Sequence, residues 1–408
     1  MLVTISGAAS NEEAPLSTLL MNSMVTCYSK LTLTVRNVTI SNEPVLTAAI
    51  SMRSTLKMQK GIGLMGIQKE AFGRLADGRA VERYWLEGKS IRMAVLTYGA
   101  TIQTIDYAGK DIVLGYDTLE GYVHGGSYQG ASIGRYANRI DAGRFTLNGQ
   151  HYDVGCNENG IGHLHGGKIG FDKKVWNAQI VQDTDEPSLM LTQVAEDGEE
   201  GYPGTLRETV TYTVTAEDVI RISYQAVSDK DTVVNLTNHA YFNINGWDGG
   251  DILNVGLQIF ADAITPIDKR FVPTGELMPV EGTPFDFRQP KTIGQDIHAD
   301  HEQLKLAGGY DHNFVLGMTR EFRHAVSAYS PATGLRLDCY TDLPGVQLYV
   351  ANMLNEPGGK GGKALYPHQA FCLETQFFPD SPNHPEFPSA VLKAGDVWTS
   401  VTEYRLSK

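Results

Sequence analysis

LRETVTYTVTAEDVIRISYQAV, residues 206–227, contains two runs in which apolar and polar side chains alternate, Leu206 to Thr215 and Val219 to Val227. Successive side chains of a strand point to opposite faces, so this period of two predicts two β-strands that each bury one face. The apolar faces are formed by Val210, Tyr212 and Val214 and by Ile220, Ile222 and Tyr224.

The same alternation recurs on both sides of this stretch. Arg144 to Val154, RFTLNGQHYDV, places Asn148-Gly149 between two alternating runs, which is the strongest short signal for a β-hairpin. Ile91 to Tyr107 is apolar and β-branched with an interruption at Tyr98-Gly99-Ala100, which predicts one strand that bends at the glycine. Further strands are predicted at Leu189 to Val194, Ala325 to Tyr329, Leu335 to Tyr340 and Val346 to Ala351.

Helical patterning is weak throughout the chain. No long segment has a period of 3.6 residues, no strand–helix alternation suggests a parallel sheet, and no repeat of fixed period occurs. We therefore predict an all-β fold, either a large antiparallel β-sandwich or a barrel.

Composition narrows the classes of function. The 408 residues carry a formal charge of −13, which argues against nucleic acid or an anionic membrane as a partner. The four cysteines are widely spaced and form no CxxC pair, as suits a reducing compartment. No apolar run is long enough to span a membrane, and Met1 to Ser10 lacks the basic flank and apolar block of a signal peptide, so a cytoplasmic protein is expected.

Residues 1–65 differ from the rest of the chain. They are rich in Ser, Thr, Met and Leu, poor in charge, and contain one strand-like run at Leu31 to Ile40. Regular patterning begins near Ile67. Three interpretations stay open for this N-terminal extension: an added hairpin, a disordered segment, or residues translated from an upstream start. We predict that folding of the domain at residues 66–408 does not require it.

Asn235 to Gly246, NLTNHAYFNING, is the first stretch with an unusual set of polar side chains. If it is extended, one face carries Asn235, Thr237, His239, Tyr241 and Asn243. This face is a poor core but a good floor for a ligand covered in hydroxyls, because each side chain donates or accepts hydrogen bonds. A lone histidine on a strand is more often structural, so other clusters must support the interpretation.

Four such clusters occur. GRYANRI contains Asn138 beside Arg139, and GHLHGG contains His163 and His165 two positions apart. YDHNFVL sets Asp311 before an apolar run, and FCLETQFFPD encloses Glu374, a carboxylate that would be costly to bury unless it is hydrogen-bonded or functional. Two chemistries use this set: acid–base work on a sugar, or a metal held by histidines and a glutamate. No HExxH or equivalent spacing favours the metal.

The chain as a whole resembles the aldose 1-epimerase (galactose mutarotase) family from about Ile67 to Arg405. The ordered motifs that carry the resemblance are GRYANRI, HLHGG followed by GFDKKVW, DGEEGYPG, NLTNHAYFNING, GYDHNFVL, PGVQLY and LETQFFPDSPN. The resemblance implies a large antiparallel β-sandwich with the sugar in an open cleft and neither cofactor nor metal. It implies interconversion of the α and β anomers of free hexoses such as D-glucose and D-galactose.

By position, the resemblance implies that His239 is the general acid and Glu374 the general base. It implies sugar-binding roles for Asn138, Arg139, His165, Asp311 and Gln347, and we add Tyr241 from the polar face of NLTNHAYFNING. His163 stands outside the motif and is expected to be structural. We also expect Glu374 to be ionised near neutral pH and to raise the pKa of His239, which would help that residue keep its proton.

Three rivals stay open at this point. One is a metal-dependent β-barrel isomerase or lyase that uses His163, His165, His239 and Glu374. Another is a non-catalytic carbohydrate-binding module, and the third is a hexose-6-phosphate 1-epimerase, which should need extra Lys or Arg at its cleft. The expected partner is a small sugar, and the expected state is a monomer or homodimer.

Overall fold

The computed structural model describes residues 66–158 and 160–408. The N-terminal extension, with its predicted strand at Leu31 to Ile40, lies outside the described residues. Within the two described ranges, no helix has the length and apolar character needed to cross a membrane.

Strands dominate the described part of the chain. The first group comprises β1 Gly66–Arg74, β2 Ala80–Glu87, β3 Ile91–Leu96, β4 Thr101–Tyr107, β5 Lys110–Asp111, β6 Ser132–Ile133, β7 Arg139–Asp141, β8 Arg144–Leu147, β9 Gln150–Asp153, β10 Gly162–Leu164, β11 Asn177–Gln182, β12 Ser188–Ala195, β13 Leu206–Val214 and β14 Val219–Ser228. The second comprises β15 Thr232–Val233, β16 Thr237–Asn238, β17 Gly256–Ile259, β18 Ala263–Ile264, β19 Met278–Pro279, β20 Lys291–Thr292, β21 Asp311–Val315, β22 Arg323–Tyr329, β23 Arg336–Thr341, β24 Gly345–Tyr349, β25 Cys372–Gln376, β26 Val391–Leu392 and β27 Val397–Ser407.

Helices are short in the same ranges. The two α-helices, α1 Leu119–His124 and α2 Glu302–Ala307, have six residues each. Single 3₁₀ turns lie at Phe171–Lys173, Glu199–Gly201, Ile293–Gln295, Lys360–Gly362 and Ser381–Asn383.

The largest sheet has nine antiparallel strands in the order β11-β12-β13-β14-β27-β23-β22-β17-β20. The neighbouring strands β13 and β14 of this sheet confirm the strands predicted from residues 206–227. Two five-stranded sheets have the orders β1-β2-β3-β4-β5 and β19-β18-β21-β24-β25. Four two-stranded pairs complete the set: β10-β7, β15-β26, β16-β6 and β8-β9.

The sheets pack face to face. The Tyr404 hydroxyl on β27 donates to the Leu373 carbonyl on β25 at 2.9 Å, and the Tyr404 ring lies 4.9 Å from that of Phe242. The Tyr212 hydroxyl on β13 donates to the Ala100 carbonyl at 2.6 Å, next to β4. One continuous apolar core contains side chains from all three large sheets, and each fully buried apolar side chain contributes roughly 1.5–3 kcal/mol. The prediction of a large antiparallel β-sandwich is confirmed.

Local predictions had mixed outcomes. The hairpin at Asn148-Gly149 is confirmed: β8 pairs with β9, and both turn residues have positive φ, 52° and 79°, as a two-residue hairpin turn requires. The single bent strand at Ile91 to Tyr107 is wrong, because β3 and β4 are antiparallel partners joined by a turn at Gly99 and Ala100. A Cβ at Gly99 would lie 2.5 Å from the Asp172 carbonyl oxygen, so glycine permits this close approach.

The extended strand predicted for residues 235–246 is also wrong. Only Thr237 and Asn238 form a strand, which pairs with β6. Elsewhere in the stretch, Asn235 and Phe242 form isolated β-bridges to residues of other segments. Its asparagines bond to backbone instead: Asn235 donates to the carbonyls of Ala137 and Phe377, and Asn243 donates to those of Gly250 and Gln369. The predicted polar floor therefore consists of His239 and Tyr241 alone.

Candidate active site

Strand register builds one wall of the site. Gln347 on β24 lies opposite Glu374 on β25, and Asp311 on β21 lies opposite Tyr349 on β24. Residues that are directly opposite in antiparallel strands share a face, so these four side chains project from the same side of the sheet. The other side of β25 faces the core through Leu373, which leaves this strand buried on both faces.

A second wall comes from shorter elements. His239 directly follows β16, and Arg139 begins β7, whose partner β10 places Leu164 opposite it. The Asn138 amide donates to His165 Nδ1 at 3.1 Å, and the His165 amide donates to the Asn138 carbonyl at 3.1 Å. Both residues have positive φ, 63° and 51°, a conformation that costs non-glycine residues of the order of 1–3 kcal/mol and clusters at functional sites.

The two walls enclose a cavity of about 410 Å³. Seven of the eight residues predicted for the site line it: Asn138, Arg139, His165, His239, Tyr241, Asp311 and Glu374. Gln347 does not line the cavity. It donates to Asp311 Oδ1 at 2.7 Å and thereby orients a carboxylate that does.

His239 and Glu374 approach each other across this cavity. His239 Nε2 lies 3.7 Å from Glu374 Oε1, and the two side chains are only 5% and 3% exposed. Among the described residues, His239 Nδ1 and Glu374 Oε2 have no hydrogen-bond partner. Buried polar atoms are normally hydrogen-bonded, so two partnerless atoms on residues that line the cavity are an exception that points to a functional role.

Burial dominates the electrostatics of the pair. It raises the pKa of Glu374 well above its usual range, with a further rise from Asp311, and it lowers the pKa of His239 to about 4. Burial thus opposes the expected ionisation of Glu374, and the expectation that an ionised Glu374 raises the pKa of His239 stays a prediction. The pair holds one exchangeable proton, and burial disfavours both the Glu374 carboxylate and the His239 imidazolium.

Metal binding was the alternative use of this cluster. His165, His239 and Glu374 offer ligand atoms that lie within 4.8 Å of one another. However, His165 Nδ1 accepts the Asn138 amide, which places the proton of the neutral ring on Nε2 and makes that atom a donor. A metal ligand there would need the reverse, so the group suits hydroxyls better. His163 lies outside the group and bonds Tyr202 and the Val154 carbonyl.

Two cavity residues, Glu158 and Tyr128, had no signal in the sequence. Glu158 receives two hydrogen bonds from the Arg139 guanidinium, both 2.7 Å long, and so neutralises a cation of the cavity. Tyr128 and Tyr349 surround His239 with aromatic rings. Glu158 belongs to an ordinary polar turn and Tyr128 to a Gly/Ser-rich loop, so neither had a spacing that could have indicated a role.

Fold and cavity together define an enzyme that performs acid–base chemistry on a polyhydroxylated ligand. The family model described as aldose 1-epimerase matches residues 82–405. The chain belongs to the aldose 1-epimerase family, and it is an isomerase that acts on carbohydrates.

Relatives and solved structures agree with this assignment. The galactose mutarotase of Rattus norvegicus is 39% identical over 351 residues, which cover 84% of this chain and 99% of that protein. The aldose 1-epimerase of Escherichia coli K12 is 38% identical over 77% of this chain and 91% of its own length. The crystal structure of galactose 1-epimerase from Lactobacillus acidophilus NCFM superposes with a TM-score of 0.76 at 28% identity, covering 84% of this chain and 99% of that one.

Proposed function

We propose that this protein interconverts the α and β anomers of free hexoses such as D-glucose and D-galactose, with Glu374 as general base and His239 as general acid. The observation that carries the proposal is the 3.7 Å approach of Nε2 and Oε1 in a buried cavity. The two atoms are close enough together to form hydrogen bonds with the O1 hydroxyl and the ring oxygen of one pyranose.

Each half of the reaction moves one proton on and one proton off the sugar. The Glu374 carboxylate takes the O1 proton while the electrons of that bond form the C1 carbonyl. The C1–O5 bond breaks, and O5 takes the proton of the His239 imidazolium. The C1–C2 bond then turns and the ring closes on the other face of the aldehyde, with both transfers reversed. Each transfer contributes about 10²- to 10⁴-fold to the rate.

The remaining polar residues hold the ring between acid and base. His165 Nε2 is a fixed donor because its Nδ1 is occupied by the Asn138 amide. Asp311, oriented by Gln347, is an acceptor, and burial raises the pKa of its carboxyl while Arg139 opposes that rise. Fixed donors and acceptors around a hexose lower the entropy cost of reaching the reactive geometry.

Charge in the cavity favours a free sugar over a hexose 6-phosphate. Among the described lining residues, Arg139 is the only Lys or Arg, whereas four are carboxylic: Glu158, Asp311, Glu356 and Glu374. Arg139 is already paired with Glu158. A phosphate dianion would lose its hydration without gaining a free cation, so it should be rejected.

Polarimetry with fresh α-D-galactose tests the proposal. Glu374→Gln and His239→Asn should fold normally yet each lose most of the rate, given the size of a single proton transfer. If either variant keeps more than about a tenth of the wild-type rate, the assignment fails. Sugar binding without any rate enhancement by the wild type would instead favour a carbohydrate-binding module.

The cytoplasmic location and the monomeric or homodimeric state stay predictions from the sequence. Light scattering on the purified protein measures the second directly.

A further inference from the structure

The His239 ring is flanked by two tyrosine rings that are nearly parallel to it. The Tyr128 centroid lies 5.9 Å away at an interplanar angle of 21°, and the Tyr241 centroid lies 5.1 Å away at 17°. Tyr241 was a predicted site residue, but Tyr128 comes from the loop between α1 and β6 and has no assigned role. Both rings line the same cavity as Glu374.

We propose that Tyr128 is a positioning residue of the epimerase reaction, whose ring face holds the His239 imidazole and favours its protonated, proton-donating form. The negative face of an aromatic ring attracts a cation, and the attraction grows when water is excluded. A π face thus supports the imidazolium without adding a carboxylate that would change the proton count of the pair. This inference rests on the proposed function of His239.

The other charged groups near His239 are either neutral for part of the reaction or bonded to other groups, so stabilisation of the imidazolium is left to the tyrosine rings. Glu374 is the acid–base partner and must itself be neutral for half of the cycle. His165 meets His239 edge-on at 5.3 Å but is fixed as a neutral donor by its Nδ1 bond. Of the other charged groups around the cavity, Arg139 pairs with Glu158 and lies near Asp311, and Glu356 accepts hydrogen bonds from the Tyr116 hydroxyl and the Gly126 amide. Lys173 pairs with Asp172, and its ammonium lies 5.4 Å from the centroid of the Tyr128 ring.

Tyr128 also contacts the sugar-binding histidine. Its ring meets that of His165 at 4.8 Å and 66°, so a single side chain touches both imidazoles of the site. The backbone of Tyr128 has φ of 56°, a left-handed conformation that favours glycine or asparagine. The backbone conformation therefore does not favour tyrosine at position 128. What the tyrosine side chain provides is the contact of its ring with the two imidazoles.

A graded series at this position separates the ring from the rest of the side chain. Tyr128→Asn removes the ring but suits the left-handed backbone, so it should fold. It should lower kcat for D-galactose about 5- to 30-fold with less than a threefold change in KM, as expected for loss of one desolvated cation–π contact. Tyr128→Phe should stay within about twofold of wild type, and Tyr128→Trp should match or exceed it, because tryptophan has the strongest π face.

The protonation of His239 gives a readout that a merely structural role would not move. In a Glu374→Gln background His239 titrates without its partner, and NMR of isotope-labelled histidine follows it directly. Adding Tyr128→Asn should lower the pH midpoint of His239 by about one pH unit, whereas adding Tyr128→Phe should leave it in place. As a matched control, Tyr329→Asn removes a tyrosine that is 49% exposed on β22 and should change neither kcat nor the midpoint.

Three results would overturn the inference. They are an unchanged midpoint in Tyr128→Asn, a loss in Tyr128→Phe as large as in Tyr128→Asn, and a rise in KM at constant kcat, which would make Tyr128 a sugar-binding residue only. If Glu374→Gln and His239→Asn themselves keep their rate, the proposed function has failed. If they lose it and the Tyr128 series stays flat, only the role of Tyr128 is wrong.

Discussion

Replacing Glu374 by glutamine should remove two things at once, the base and the counter-charge of the acid. At 3.7 Å and an effective dielectric constant of about 20, an ionised Glu374 stabilises the His239 imidazolium by about 4 kcal/mol, equivalent to about three pH units. Without it, the buried imidazole keeps a pKa of about 4. At pH 7 only about one molecule in 10³ would then carry the proton that O5 needs.

The pH dependence of the variant identifies this mechanism. The residual rate of Glu374→Gln should be at least ~10³-fold below wild type at pH 7. Because protonation of His239 increases as the pH falls towards 4, the residual rate should rise about tenfold per pH unit between pH 7 and pH 5 and level off near pH 4.

Polarimetry from pH 4 to pH 8 measures this profile, with circular dichroism to confirm that the variant is folded. The double variant Glu374→Gln/His239→Asn is the control for acid catalysis by the solvent, and its rate is subtracted at each pH. A residual rate that does not depend on pH after subtraction, or one that falls with acid, would refute the reasoning. It would mean that His239 does not donate the proton.

Three other predictions follow from buried or paired groups. Glu158→Gln should raise KM for D-galactose about tenfold with kcat nearly unchanged, because Arg139 loses a bidentate carboxylate that orients it; an unchanged KM in initial-rate assays would contradict this. Burial raises the pKa of Glu208 to about 8, so between pH 4.5 and 8 the folded state binds more protons than the unfolded state and stability falls as pH rises. Glu208→Gln, which stays neutral and keeps its bond to Gln193, should gain about 3 kcal/mol at pH 7 and only about 1 kcal/mol at pH 5, measured by urea unfolding; equal gains at both pH values would exclude this cause. Dialysis against EDTA should leave the rate unchanged, because the His165 Nδ1 bond makes Nε2 a donor, and a loss restored by Zn²⁺ would revive the metal-dependent rival.

The sequence was informative where one local rule acts alone. Alternation over residues 206–227 predicted β13 and β14 correctly, because a strand with one buried face must alternate. The Asn148-Gly149 turn was predicted because both positions need positive φ, which these residues tolerate. The prediction from the sequence failed at Gly99, because a bend and a hairpin turn both use glycine. Only the tertiary pairing of β3 with β4 distinguishes the two.

The site shows the same division. Seven of the eight residues predicted for the site line the cavity, but alternation within residues 235–246 misplaced the asparagines, whose amides satisfy backbone carbonyls of irregular segments. The pKa directions of His239 and Glu374 could not be obtained from the sequence, because they depend on burial from every side. Glu158 and Tyr128 were missed for a similar reason: their roles exist only through contacts with residues distant in the chain.

Burial that disfavours both charged forms has a use in a reversible reaction. The pair alternates between carboxylate with imidazolium and carboxylic acid with imidazole, and both states contain one exchangeable proton. Burial costs the imidazolium about 3 kcal/mol, while the attraction at 3.7 Å returns about 4 kcal/mol. Since Glu374 also loses solvation, the two states are close in free energy. Hydrogen bonds with O1 and O5 of the sugar can then favour either state. A more exposed pair would hold the charged state, and ring closure, which needs the neutral state, would become the slow step.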